Sequence, residues 1–189
     1  MTRVLGISGS LRRDSHNTNL LRAAAEAAGP DVEFLLYDGL KEIPPYDEDD
    51  DVHPRPASVS RLGLAIDAAD AILFSTPEYN SSIPGQLKNA LDWISRPAAT
   101  NALRNKPVAV VGASTGAFGA VWAQAELRKV LAALGARVLD VELPVAQAHT
   151  RFDETGLTDE EIRGALADAI EALAAEVEAR QDERTHAVA

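Results

Sequence analysis

The sequence predicts an α/β fold: a five-stranded parallel sheet covered by helices on both faces. Three observations carry that prediction. Short apolar runs alternate with helical patterns along the whole chain. The third run, Ala71–Ser75, opens on consecutive apolar residues, as a strand buried on both faces requires. Three of the runs then open at their carboxyl ends into polar loops rich in Gly, Ser, Asn or Pro, the place where open α/β sheets bind ligands.

Taken in order, Val4–Ile7 reads as the first strand, within an opening whose apolar run is too short for a secretory leader. Thr18–Ala28 follows as a helix, with Asn17 as its N-cap. Val32–Leu36 is the second strand, Val59–Ala69 a helix and Ala71–Ser75 the third strand. Pro84–Ser95 is the next helix, with Pro84 in the first turn, where a missing N–H costs nothing. Val108–Val111 is the fourth strand and Ala120–Leu134 a long amphipathic helix. Arg137–Leu143 is the fifth strand, although it alternates and runs into Pro144. The last helix spans Asp159–Glu178, with Thr158 and Glu161 in capping-box spacing. No repeat or linker divides the chain, so residues 1–180 are expected to form one domain, followed by a polar, frayed tail over 181–189.

Composition narrows the function. The 189 residues suffice for one substantial core, and no apolar run approaches the roughly 20 residues of a membrane span. A net charge of −11 disfavours nucleic acid and anionic lipid, so any phosphate must be held by a local set of donors. The absence of Cys excludes thiol nucleophiles and thiolate metal sites and suits a cytoplasmic protein. Any redox chemistry therefore belongs to a cofactor. His16, His53, His149 and His186 stand at no metal-ligand spacing. The acidic run Asp47–Asp51 lacks the Gly and Glu that complete a calcium loop and reads as solvated surface, so no metal is expected.

The first loop, Gly6–Asn17, carries Ser8, Ser10, Arg12, Ser15 and Asn17 ahead of a helix N-terminus. Hydroxyls, a guanidinium and oriented N–H groups suit a dianionic phosphate. The loop has neither the Walker lysine nor the dinucleotide glycine spacing, so it points to a monophosphate. The second loop, Thr76–Ile83, offers Pro77, Glu78, Tyr79 and Asn80: a ring, stiff backbone and amide donors for a flat heteroaromatic group. In a flavodoxin-like sheet of order 2-1-3-4-5 these two loops flank the switch point where FMN sits in such folds. The third loop, Ala113–Gly119, has small residues, Ser114, Gly116 and Gly119 among them, that let backbone N–H groups approach a ligand. Gly112–Gly116 also matches the G-x-S-x-G nucleophile elbow, with Asp140 and His149 following in hydrolase order. A serine hydrolase centred on Ser114 is thus a rival reading, as is a flavodoxin-type electron carrier.

Three segments together resemble the NADPH-dependent FMN reductase family, which includes bacterial quinone, chromate and azo-dye reductases. They are Gly9-Ser10-Leu11-Arg12 with Ser15 and Asn17, the stretch from Pro77 through Pro84 and Lys88-Asn89 to Asp92-Trp93, and the loop from Ser114 to Gly119. The resemblance implies that Ser10, Arg12, Ser15 and Asn17 hold the FMN phosphate. It implies that Pro77, Glu78, Tyr79 and Asn80 hold the isoalloxazine, mostly through backbone, with Ser114, Gly116 and Gly119 beside the pyrimidine or ribityl part. It further implies oxidation of NADPH or NADH, a small-molecule acceptor such as free flavin or a quinone, no catalytic side chain, and a homodimer or homotetramer. Ala125 stands where some quinone-reducing members carry Tyr, which separates this chain from any tetramer contact made there.

Overall fold

The computed structural model describes residues 1–188. Its sheet has the expected order, β2-β1-β3-β4-β5, with every pair parallel. The strands are β1 (Thr2–Ser8), β2 (Val32–Tyr37), β3 (Ala71–Thr76), β4 (Pro107–Ala113) and β5 (Arg137–Val138). β3 and β4 are buried at every residue, which is why their sequences are nearly continuous apolar runs and do not alternate. Successive side chains feed two cores. Leu5, Ile7, Ile72, Phe74, Val108 and Val110 face α2 (Ala57–Ala68), α3 (Gly85–Ile94) and α4 (Val121–Ala133). Val4, Leu73, Ala109 and Val111 face α1 (His16–Ala27) and α5 (Glu160–Val188).

Helix ends depart from expectation where one side chain sets the boundary. Ser15, not Asn17, caps α1: its hydroxyl accepts the Thr18 N–H at 3.2 Å. Asn17 lies inside the helix. Asp159 caps α5, accepting the N–H groups of Glu161 and Ile162 at 3.1 Å each. The Thr158 hydroxyl instead donates to the Arg151 carbonyl, so the capping box does not form. α5 also runs past Glu178 to Val188, through most of the segment expected to fray. Neither Gly nor Pro interrupts it there, and Arg137 of β5 holds it by ion pairs to Glu176 at 2.8 Å and Glu183 at 2.6 Å. Ala189, the last residue of the expected tail, lies outside the described residues.

The fifth strand is broken. Arg137 and Val138 pair with the start of β4, the Leu139 N–H still donates to the Val108 carbonyl at 2.8 Å, and the chain then leaves the sheet over 140–142. It returns as β6 (Pro144–Val145), paired with Gly112 and Ala113. Arg128 on α4 explains the detour: its guanidinium donates to the Val141 carbonyl at 3.1 Å and to Glu142 at 3.0 Å, drawing the segment off the edge. A short hairpin, β7 (Phe152–Asp153) and β8 (Gly156–Leu157), leads into α5. The acidic run at 47–51 is a surface turn, with Asp51 paired to Arg55 at 2.6 Å.

Candidate functional site

Strand register sets three loops side by side. Ser8 at the end of β1 lies opposite Ser75 of β3, and Thr76 of β3 lies opposite Gly112 of β4. The loops that leave these strands open together at one edge of the sheet, where the chain order reverses. A cleft of about 160 Å³ between them is lined by Ser10, Arg12, Ser15, His16, Asn17, Pro77, Glu78, Tyr79, Ala113, Ser114 and Thr115. It gathers most of the residues singled out from the sequence. Asn80, Gly116 and Gly119 stand outside its walls.

Of the first-loop residues singled out from the sequence, only the charged Arg12 faces fully outward, while Ser8 and Ser10 are half-buried and Ser15 is buried. The described side-chain bond of Arg12 is a 3.0 Å donation to the Asp14 carbonyl in its own loop. The Ser15 hydroxyl accepts the Thr18 N–H and keeps its own proton to donate. The first amides of α1 have no acceptor within the helix and lie at its positive end. Asn17 is buried like Ser15, 3% exposed against 2%. Its Oδ1 accepts the Ala113 N–H and the Ser75 hydroxyl, both at 2.9 Å, and its Nδ2 donates to the Ala113 carbonyl at 2.9 Å. It ties α1 to β3 and β4, with one amide hydrogen left over.

In the second loop Asn80 and Ser81 both hold left-handed φ, 53° and 63°. Tyr79 and Ser82 close the turn by exchanging N–H···O bonds at 2.9 and 3.1 Å. That is the backbone of a two-residue hairpin turn, in which Asn is favoured. The turn lifts Tyr79, about half exposed, to the rim of the cleft. Glu78 turns away. Its carboxylate accepts the N–H groups of Trp122 and Ala123 at 3.0 and 3.1 Å. It thereby caps α4, whose own N-cap, Ala120, offers no side-chain acceptor.

In the third loop the Ser114 Oγ accepts the Gly116 N–H at 3.1 Å, closing a tight turn. Gly119 is required by space and backbone alike. Its φ is +58°, and a Cβ there would sit 2.4 Å from the Pro144 carbonyl carbon. Its carbonyl accepts from the buried Gln124 amide at 2.9 Å. The hydrolase reading fails on this geometry: Asp140 and His149 are exposed, and among the described residues no hydrogen bond joins Ser114 to His149 or His149 to Asp140.

His16 is the cleft residue that sequence reasoning passed over. It stacks on Phe152 with ring centroids 5.8 Å apart. Burial pushes its imidazole below the ordinary pKa, and Arg12 and His149 add to the shift. Its place directly before Asn17, inside the phosphate-suited loop, was the available signal.

The sequence profile of the NADPH-dependent FMN reductase family matches residues 2–150. The chain belongs to that family. An NAD(P)H-dependent FMN reductase of Pseudomonas aeruginosa is 42% identical over 173 residues, spanning 90% of this chain and 92% of that one. A 2-hydroxy-1,4-benzoquinone reductase of a Burkholderia species is 41% identical over 152 residues, 79% of this chain and 81% of that protein. Among solved structures, the flavoenzyme FerB of Paracoccus denitrificans, an NAD(P)H:acceptor oxidoreductase, superposes with a TM-score of 0.82. It is 35% identical, and the match covers 94% of this chain and 98% of FerB. The stretch matched by the FMN reductase family takes in all three loops and ends before β7 and α5.

Proposed function

We propose that this chain is an NAD(P)H-dependent oxidoreductase that holds one FMN in the three-loop cleft and reduces quinones, free flavin or similar small acceptors. One observation carries the placement: a phosphate-suited rim, a half-exposed ring and a loop of small residues meet in a single cleft. The donor set fits the group. The Ser10 and Ser15 hydroxyls, the Arg12 guanidinium and the first amides of α1 suit a phosphate dianion. Pro77, Tyr79 and Asn80 form the platform for the ring, chiefly through backbone, and Ser114 and Gly116 border its pyrimidine or ribityl side. Asn17, Glu78 and Gly119 act indirectly, by holding α1, α4 and the third loop in place. FMN, when bound, supplies hydride acceptance and electron donation, chemistry that no side chain here provides.

At about 160 Å³ the cleft is smaller than the ~300–1,000 Å³ of ordinary ligand sites, so it suits the phosphate end and leaves the ring at its mouth. Around that mouth Leu11, Tyr79, Phe118 and Trp122 are exposed. A second copy covering this apolar rim would exclude water from the ring, which supports a homodimer or a higher assembly of such dimers. We place the protein in the cytoplasm, where NADPH is supplied, and read residues 1–180 as one FMN-binding domain.

The test is anaerobic spectroscopy. Protein loaded with FMN should bleach on addition of NADPH and recover its colour with a quinone, and riboflavin should bind far more weakly than FMN. Equal affinity for the two flavins would overturn the phosphate assignment. Tight FMN binding without bleaching would replace the enzyme by an electron carrier. Light scattering at micromolar concentration should show more than a 20.1 kDa species.

A further inference from the structure

Beside the first loop, at the carboxyl ends of β1 and β2, lies a second cavity of about 460 Å³. Its volume falls within the ~300–1,000 Å³ typical of small-molecule sites, unlike the three-loop cleft. Three cationic side chains line it, Arg12, Arg22 and Lys41, against one carboxylate, Asp38. In a chain of net charge −11, such a local excess of positive charge marks a place built for an anion. Tyr37 and Leu40 give it an apolar wall. A trough of about 260 Å³ shares Leu11 and Arg12 with this cavity and Arg12 and Tyr79 with the three-loop cleft, so Arg12 lines all three hollows. A dinucleotide running from this cavity along the trough past Leu11 and Tyr79 would reach the mouth of the cleft, where the flavin ring is placed.

We propose that this cavity takes the adenosine end of NADPH, with Lys41 and Arg22 reading the 2′-phosphate. The inference rests on the reductase reading above and supplies what that reading lacks, a basis for choosing between NADPH and NADH. The 2′-phosphate is the one group that separates the two nucleotides, and it is an anion. Lys41 meets it as a point charge. Arg22 donates through Nη1 to Asn19 at 2.7 Å, which orients the guanidinium where this cavity meets a neighbouring hollow lined by Glu26, Asp153 and Glu154. Asp38 works against that choice. A carboxylate repels the phosphate and accepts a hydrogen bond from a free 2′-hydroxyl, so it favours NADH. The preference is then set by two cations outweighing one anion.

Steady-state kinetics on FMN-loaded protein read this directly. Lys41→Ala and Arg22→Ala should each raise the KM for NADPH about tenfold, the effect of about 1.4 kcal/mol, and move that for NADH less than about twofold. Asp38→Asn should shift the ratio the other way. All three side chains are exposed, so folding should survive, and an unchanged unfolding midpoint checks it. Calorimetry gives an independent readout: adenosine 2′,5′-bisphosphate should bind the loaded wild type at least about tenfold more tightly than 5′-AMP, and Lys41→Ala should erase the difference. Equal losses with NADPH and NADH, or equal binding of the two adenosine nucleotides, would overturn the proposal. Failure of the underlying reading looks different, because neither nicotinamide nucleotide would then bleach the flavin in the wild type.

Discussion

Arg12 in the first loop and Glu78 in the second are both charged residues on the rim of one cleft, yet only Glu78 spends its charge on another element of the fold. The Arg12 guanidinium folds back on its own loop with one described bond, whereas both Glu78 contacts go to the N-terminus of α4. Asn17 sits on the Glu78 side of this divide, its oxygen spent on Ser75 and Ala113. The hydrogen-bond partners of a polar residue at this edge thus show how far it is tied to the scaffold. Stability measurements and affinity measurements should therefore separate these residues cleanly.

The sharpest break is expected at Asn17. Asn17→Ala leaves a buried hydroxyl and both backbone groups of Ala113 unsatisfied, so it should cost about 3–5 kcal/mol of folding stability. Urea unfolding checks this, and a loss below about 1 kcal/mol would put Asn17 among the ligand residues. Arg12→Ala should do the reverse. FMN should bind about 1.5–3 kcal/mol more weakly, the scale of a hydrogen bond to a charged group, with an unchanged urea midpoint. Glu78→Ala falls between them. It removes the cap of α4 and should cost about 1–2 kcal/mol, with FMN affinity following only as far as the helix shifts.

The smallest effect concerns His16 in the FMN-free protein. Its folded-state pKa lies below the ordinary value near 6.5, so the unfolded chain takes up the proton first as pH falls. Stability contributed by the neutral imidazole is therefore fully present above about pH 6.5 and is lost as pH drops toward the folded-state pKa. His16→Phe should flatten that part of the pH–stability curve. A curve unchanged by the substitution would show that the imidazole titrates alike in both states.

The strand order and the three loops were legible because they rest on local pattern. Buried strands spell continuous apolar runs, and the cleft-lining residues of the first loop are neighbours in sequence. What stayed hidden depends on partners far along the chain. Asn17 meets Ala113 across 96 positions, and Glu78 meets Trp122 across 44. Nothing near either residue announces the partner, so the strut made by Asn17 and the helix cap made by Glu78 could not be read from the sequence. The fifth strand failed for the same reason. Its alternation is genuine, but Arg128 on another element pulls its middle out of the sheet. His16 was the opposite case, passed over because it was weighed only as a metal ligand.

The connection between β2 and α2 is fastened to a helix that comes later in the chain. Gln86 of α3 donates to the carbonyls of Leu40 and Ile43, both at 2.8 Å, and Asn89 and Trp93 donate to that of Pro44 at 2.8 and 2.9 Å. Asn89 also accepts the Tyr46 N–H at 2.7 Å. Three side chains on one helical face thus act as a clasp on a stretch with little regular structure of its own. The stretch and α3 should open as a single cooperative unit, so the Tyr46 amide should exchange its hydrogen for deuterium at the pace of the helix rather than at that of a surface loop.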